Sequence, residues 1–176
     1  MKKPDLNLKG LSFLIADANP HFQSLIKGML LGFGARRIEL ADDGKAVLER
    51  TQNELVDLLI CDCYLPGMDG FDLVRAIRQN ERNPNRFTPV IVLTSHTQLQ
   101  NVERARDCGA NFVLAKPLSP KLLYERLLRV AQDPRPLVIG ADYIGPDRRF
   151  KMDMRRDQAD RRSSVGHAAG AVAMAG

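Results

Sequence analysis

The sequence predicts an α/β protein, a doubly wound sheet of five parallel strands with helices on both faces. Two observations carry this. Between residues 12 and 132, short runs rich in Val, Ile and Leu alternate five times with amphipathic stretches, and the connections between them are short. Beyond residue 133 the alternation stops.

"SFLIA" (12–16) reads as the first strand. Behind it, "NPHFQSLIKGMLLGFG" places Leu25, Ile26, Met29 and Leu30 at helical spacing, with Asn19 as the N-cap and Pro20 at the first helical position. "RIELA" and "DGKAVLERTQ" form the second unit. "VDLLIC" is the third strand, and "GFDLVRAIRQN" the third helix, with Phe71, Val74 and Ile77 on its apolar face. "PVIVLT" is the most β-branched segment and should be central. "QLQNVERARDCG" is a fourth helix closed by Gly109, "NFVLA" the fifth strand, and "SPKLLYERLLRVAQ" a fifth helix opened by Ser119 and Pro120.

The domain is read as residues 10–132. Residues 133–176 are read as a mostly disordered tail, basic at first and then Ala/Gly-rich. The net charge of +5 is uneven: 18 Lys+Arg stand against 16 Asp+Glu in residues 1–133, and eight against five in the much shorter remainder. The tail's arginine pairs, beginning in "GPDRRF", are interspersed with acids. Such mixing describes a solvated segment and disfavours nucleic acid as a partner. No apolar run approaches the roughly 20 residues needed to span a bilayer, and no export signal is visible, so a cytoplasmic location without membrane association is expected. Cys61, Cys63 and Cys108 lack the company of a zinc site or a disulfide set and read as small buried apolar residues.

In open parallel sheets ligands collect outside the carboxyl ends of the strands. Those ends carry Asp17, Asp62, Thr94 and Lys116. A carboxylate can attack phosphorus if a cation neutralises the charge, and Mg²⁺ is usually held by one or two carboxylates with waters and phosphoryl oxygens. In that chemistry Asp62 is the nucleophile and Asp17 a metal-side acid, while Lys116 and Thr94 supply donors to the transferred group. "LPGMDG" follows Asp62 as a tight turn, with Pro66 fixing φ and Gly67 and Gly70 able to take positive φ.

Over residues 10–132 the chain resembles the receiver domains of bacterial two-component response regulators. The resemblance is carried by "LIADANP", "LLICDCYLPGMDGFDLVRAIR", "PVIVLTS" and "CGANFVLAKPLSP", in that order and spacing. It implies the flavodoxin-like strand order 2-1-3-4-5, for which a chemotaxis receiver is a standard example. It further implies that Asp62 is the phosphoacceptor, that Asp17, Asp62 and the backbone carbonyl of Tyr64 hold Mg²⁺, and that Thr94 is the switch hydroxyl. Lys116 would bind the phosphoryl group and precede Pro117 through a cis peptide. The implied protein is a signalling phosphoacceptor rather than an enzyme. Its donor is a sensor histidine kinase or histidine phosphotransfer protein. Its output is a switched surface for a downstream protein, at the fourth and fifth helices and the fifth strand.

Two positions depart from the family pattern. Ala18 stands where a second acid usually binds the metal, so Mg²⁺ binding is expected to be weak. Val113 stands where the family carries a switch aromatic, so movement of Thr94 must be signalled differently. Both favour an alternative, a degenerate receiver acting as a phosphorylation-independent scaffold; Asp62, Thr94 and Lys116 oppose it. The resemblance places His96 and Tyr64 at positions that in the family can modulate loss of the phosphoryl group, with a loop residue of no role as an equal competing reading. Tyr64 also argues against a D-x-D phosphatase, and "DANPH" against a flavin-phosphate loop.

Overall fold

Alternate residues of a strand face opposite ways, and in the central strands of this protein both sets are apolar. The computed structural model describes residues 6–95, 104, 107–140 and 143–147. Five parallel strands, β1 (Ser12–Ala16), β2 (Arg37–Ala41), β3 (Leu58–Asp62), β6 (Val90–Thr94) and β7 (Phe112–Ala115), form one sheet in the order β2-β1-β3-β6-β7. Counting only these strands, that is the expected 2-1-3-4-5.

One face of the sheet presents Leu14, Ala16, Leu59, Cys61, Val90 and Val92 to helices α2 (Gly44–Asn53) and α3 (Gly70–Gln79). The other presents Phe13, Ile15, Leu58, Ile60, Ile91 and Leu93 to α1 (Pro20–Gly32) and the C-terminal helix (Pro120–Ala131). Each Val, Leu, Ile or Phe side chain among them, fully removed from water, contributes about 1.5–3 kcal/mol. The sheet is therefore held from both sides, which fixes the positions of its strand ends.

The caps follow the sequence reading. Asn19 accepts from the His21 and Phe22 amides, and Ser119 from Leu122. Leu25 does not: it is 47% exposed, and Gln23 occupies a buried position of α1 instead. The predicted helix at 98–109 is seen only at Arg104 and Asp107, which are helical; the rest of it up to 106 lies outside the described residues. No described helix is long and apolar enough to cross a membrane.

Order continues past residue 132. Strands β8 (Leu137–Ile139) and β9 (Ile144–Pro146) pair antiparallel, and β9 is buried while β8 is exposed. Arg135 anchors the approach by bonding both Asp133 oxygens and the Asn111 carbonyl. The physical reason for the docking is an approach that only glycine permits. A Cβ on Gly109 would lie 2.1 Å from the Ile144 carbonyl oxygen, and one on Gly145 would lie 2.7 Å from the Gly109 Cα. The Gly-Pro-Asp of the GPDRR element is thus a seat against the body of the domain, closed by the Asp147 amide donating to the Pro136 carbonyl. Residues 148–176, which include all three arginine pairs, lie outside the described residues.

Gly109→Ala is expected to unseat this hairpin. Gly109 has φ of +91°, so alanine is strained there even before it meets Ile144. The expected cost is about 2 kcal/mol, seen in a urea midpoint, with faster hydrogen exchange at the Gly140 and Asp147 amides. Unchanged protection at those two amides would show that the hairpin does not depend on this contact.

Candidate functional site

The alternation that builds the core also sorts the strand-end residues. Asp17 continues the parity of Phe13 and Ile15, Asp62 that of Leu58 and Ile60, and Lys116 that of Leu114, so all three turn to the α1 face. Thr94 continues the parity of Val90 and Val92, and Cys63 that of Cys61, toward α3. The Lys116 contacts agree with this sorting. Lys116 Nζ lies 2.7 Å from Asp17 Oδ2 and 2.8 Å from Asp62 Oδ2, and the Cys63 thiol lies within reach of both the Thr94 and the Asp62 side chains.

Each member is fixed by its surroundings. Asp17 is 1% exposed; its Oδ1 accepts from the Asn19 amide at 2.8 Å, and its own amide donates to the Ala41 carbonyl. Gln23 Nε2 donates to the Asp17 carbonyl at 2.6 Å, the Ala41 carbonyl at 3.0 Å and Asp42 Oδ1 at 2.8 Å, which ties the ends of β1 and β2 together. The Lys116 amide donates to the Thr94 carbonyl at 2.8 Å, and the Lys116–Pro117 peptide is cis.

The segment after Asp62 is a small hairpin, β4 (Tyr64–Leu65) and β5 (Met68–Asp69), turned at Gly67 with φ of +75°. Gly70 has a different reason from the one expected. It has no positive φ; a Cβ there would stand 2.1 Å from the Asp62 carbonyl oxygen, and its amide donates to Cys63. Asp69 caps α3 by accepting from the Phe71 amide and pairs with Arg104 at 3.1 Å.

Electrostatically the centre is two carboxylates on one ammonium. Burial pulls the Lys116 pKa down, but the hydrogen bonds to Asp17 and Asp62 and their charges outweigh it, and the net shift is upward. With the folded value above the unfolded one, the stabilisation is complete below the free-lysine value of about 10.4 and is lost only as pH rises through the folded value. Burial pushes all three thiols up, Cys108 to about 11, so at neutral pH they are protonated packing residues.

One atom is left over. Asp62 Oδ1 is buried and has no hydrogen-bond partner, whereas both Asp17 oxygens are engaged. An unpaired buried carboxylate oxygen is costly unless something binds it, and a hard cation with oxygen ligands is the kind of group that fits. Ala18 is exposed and offers no donor. Among the described residues no group of three or more His, Cys, Asp or Glu is arranged to hold a metal. Two carboxylates alone would leave most of a bound cation's coordination to water.

Of the residues singled out from sequence, Asp17, Asp62 and Lys116 meet directly, and the Thr94 carbonyl accepts a hydrogen bond from the Lys116 amide. Tyr64 is 54% exposed beside the site. Val113 is half-buried on β7, packed against the α3-side core and opposite Val92. His96 lies outside the described residues. Two residues near the site were not singled out. Gln23 gives no apolar signal, and Phe22, whose ring lies 4.2 Å from Lys116 Nζ, stands one turn before Ile26 on the same helix face. That spacing is the signal that could have found it.

Residues 13–128 match the family model of the response regulator receiver domain. The chain is 30% identical over 120 residues to the chemotaxis protein CheY of Pseudomonas aeruginosa, covering 68% of this chain and 95% of that one. It is 36% identical over 124 residues to the sensor protein EvgS of Escherichia coli, covering 69% of this chain but only 10% of EvgS. Among solved structures it is similar to chemotaxis response regulator CheY4 of Vibrio cholerae, with a TM-score of 0.63, 30% identity, and 69% and 99% coverage of the two chains. The receiver domain of the sensor histidine kinase PA1611 from Pseudomonas aeruginosa, solved with a magnesium ion coordinated in its active-site cleft, gives a TM-score of 0.61 at 32% identity, with 69% and 97% coverage.

Proposed function

Because this chain belongs to the response regulator receiver family, we propose that it is a signalling phosphoacceptor, taking a phosphoryl group on Asp62 from a sensor histidine kinase or histidine phosphotransfer protein. The observation that carries this reading is the unpartnered Asp62 Oδ1 beside a lysine already bound to the other oxygen. Oδ1 attacks phosphorus, the bond from phosphorus to the donor nitrogen breaks, and its electron pair leaves with the donor. Lys116 is then placed to move from carboxylate to phosphoryl oxygen, and Thr94 to donate its hydroxyl. Mg²⁺, held by Asp62, Asp17 and the backbone carbonyl of Tyr64, would offset the negative charge gathered on the phosphoryl oxygens. Tyr64 and His96 are proposed to tune loss of the phosphoryl group. The switched surface would serve a downstream protein in the cytoplasm, and with Val113 in place of an aromatic it would be signalled by packing rather than by a ring changing sides.

Intact mass after incubation with acetyl phosphate tests the reading. A gain of one phosphoryl group that requires Mg²⁺ is expected. No gain in the wild-type chain, with recovery in Ala18→Asp, would favour the degenerate scaffold that Ala18 and Val113 suggest.

Ala18→Asp is also expected to tighten Mg²⁺ binding by about tenfold or more, equivalent to roughly 1.4 kcal/mol, because it adds a carboxylate beside a centre that has few. Calorimetric titration of both proteins reads this. Equal affinities would mean that the missing acid is replaced from elsewhere in the chain.

A further inference from the structure

The Lys116 ammonium has three neighbours, and one of them is not a carboxylate. Its Nζ stands 4.2 Å from the centroid of the Phe22 ring, the shortest of the five cation–π contacts among the described residues; the other four involve arginines at 5.1–5.8 Å. The ring is itself held in place. Its backbone amide donates to the N-cap Asn19, and its side chain is partly buried against the α1-side core. Asp17, Asp62 and Phe22 thus present two oxygens and one π face to a single nitrogen.

We propose that Phe22 is a positioning residue for the phosphoryl-binding lysine, its ring holding Nζ at the centre and guiding it between the carboxylates and a phosphoryl group on Asp62. The functional half of this inference rests on the phosphoacceptor reading; the positional half does not. A hydrogen bond to a carboxylate is directional and is lost when the nitrogen moves. Attraction to a ring face is broad, and it persists over a displacement of about an ångström. A lysine that must exchange one set of oxygens for another therefore keeps a partner throughout if that partner is a ring. With Ala18 contributing no negative charge, the ring is an additional source of negative potential at the site.

The test separates electrostatics from packing. Phenylalanine analogues bearing one, three or five ring fluorines are placed at position 22, which weakens the π face with little change in shape. Phe22→Leu and Phe22→Tyr bracket the series. Two quantities are read at one fixed pH: the NMR order parameter of the Lys116 Cε methylene, and the rate of phosphoryl uptake from acetyl phosphate with Mg²⁺. Lys116 order is expected to fall stepwise with fluorination. The uptake rate should drop about three- to tenfold in the five-fluorine and Leu proteins, and Tyr should retain both. Lys116 order unchanged across the series would overturn the positional assignment. An order that falls while the uptake rate stays constant would overturn the functional one. A wild-type chain that takes up no phosphoryl group would sink the phosphoacceptor reading, and the order parameters would still decide whether Phe22 places the lysine.

Discussion

Asp62→Asn is expected to gain no phosphoryl group from acetyl phosphate under conditions where the wild-type chain does. A carboxamide is a poor nucleophile, and the attacking atom in the proposed chemistry is the one oxygen of the centre that the fold leaves unbonded. The fold itself should survive. The Asn oxygen can accept the 2.8 Å bond from Lys116 that Asp62 Oδ2 accepts now, and the amide nitrogen replaces an atom with no bond to lose. The substitution also leaves Lys116 with a single carboxylate partner, Asp17, so charge is balanced within the cluster. Stability in the absence of Mg²⁺ is therefore expected to change by no more than about 1 kcal/mol. The stabilisation that added Mg²⁺ gives the wild-type chain should shrink, because a ligand that binds only the folded state raises its melting temperature and this variant has lost one of the two negative charges that would attract the cation. Phosphoryl uptake in Asp62→Asn at the wild-type rate would place the modification on another residue and remove the basis of the proposed function.

Much of this centre was legible because two simple rules converge on it. Strand ends in an open parallel sheet face the ligand side, and parity along a strand decides which face a side chain takes. From "LLICD" alone, Asp62 falls in phase with Leu58 and Ile60. The same count puts Asp17 with Ile15 and Lys116 with Leu114, so their meeting was foreseeable. Strand order was less so, since periodicity carries no information about which strands are neighbours; it came through the resemblance. Hydrophobicity misled at Leu25 and Gln23. The amide of Gln23 has three acceptors at the ends of β1 and β2, and satisfying those buried groups decides its position more firmly than apolar area does. The β8–β9 hairpin was missed for another reason. "LVIGADYIG" does contain two short apolar runs around a Gly-bearing turn, but each is three residues or fewer, too short for alternation to register. Its seat depends on the close approach of Gly145 to Gly109, a pairing across 36 residues that no local pattern encodes.

Lys116→Met should be the most destabilising single change at the centre. It leaves two carboxylates, 1% and 8% exposed at the residue level, adjacent to each other without the ammonium that both now contact. Removing one partner from a buried ion pair usually costs 3–5 kcal/mol; Lys116 retains 14% side-chain exposure, so about 3 kcal/mol is expected. The loss should be largely reversed by Asp62→Asn in the same chain, because the double variant buries only one unpaired carboxylate. That non-additivity, read from urea midpoints of the four proteins, distinguishes charge from lost packing. The same geometry predicts an opposite effect on metal binding. The lysine occupies Asp17 Oδ2 and Asp62 Oδ2, two of the oxygens that Mg²⁺ would share, so the ammonium and the metal compete for one negative site. Lys116→Met should therefore be stabilised more than the wild-type chain by added Mg²⁺, even as it becomes a poorer phosphoacceptor for want of a donor to the phosphoryl oxygens. A variant whose stability is unchanged in the absence of metal would mean that water already screens the two carboxylates, and one whose response to Mg²⁺ is weaker than wild type would mean that the lysine and the metal do not compete for these oxygens.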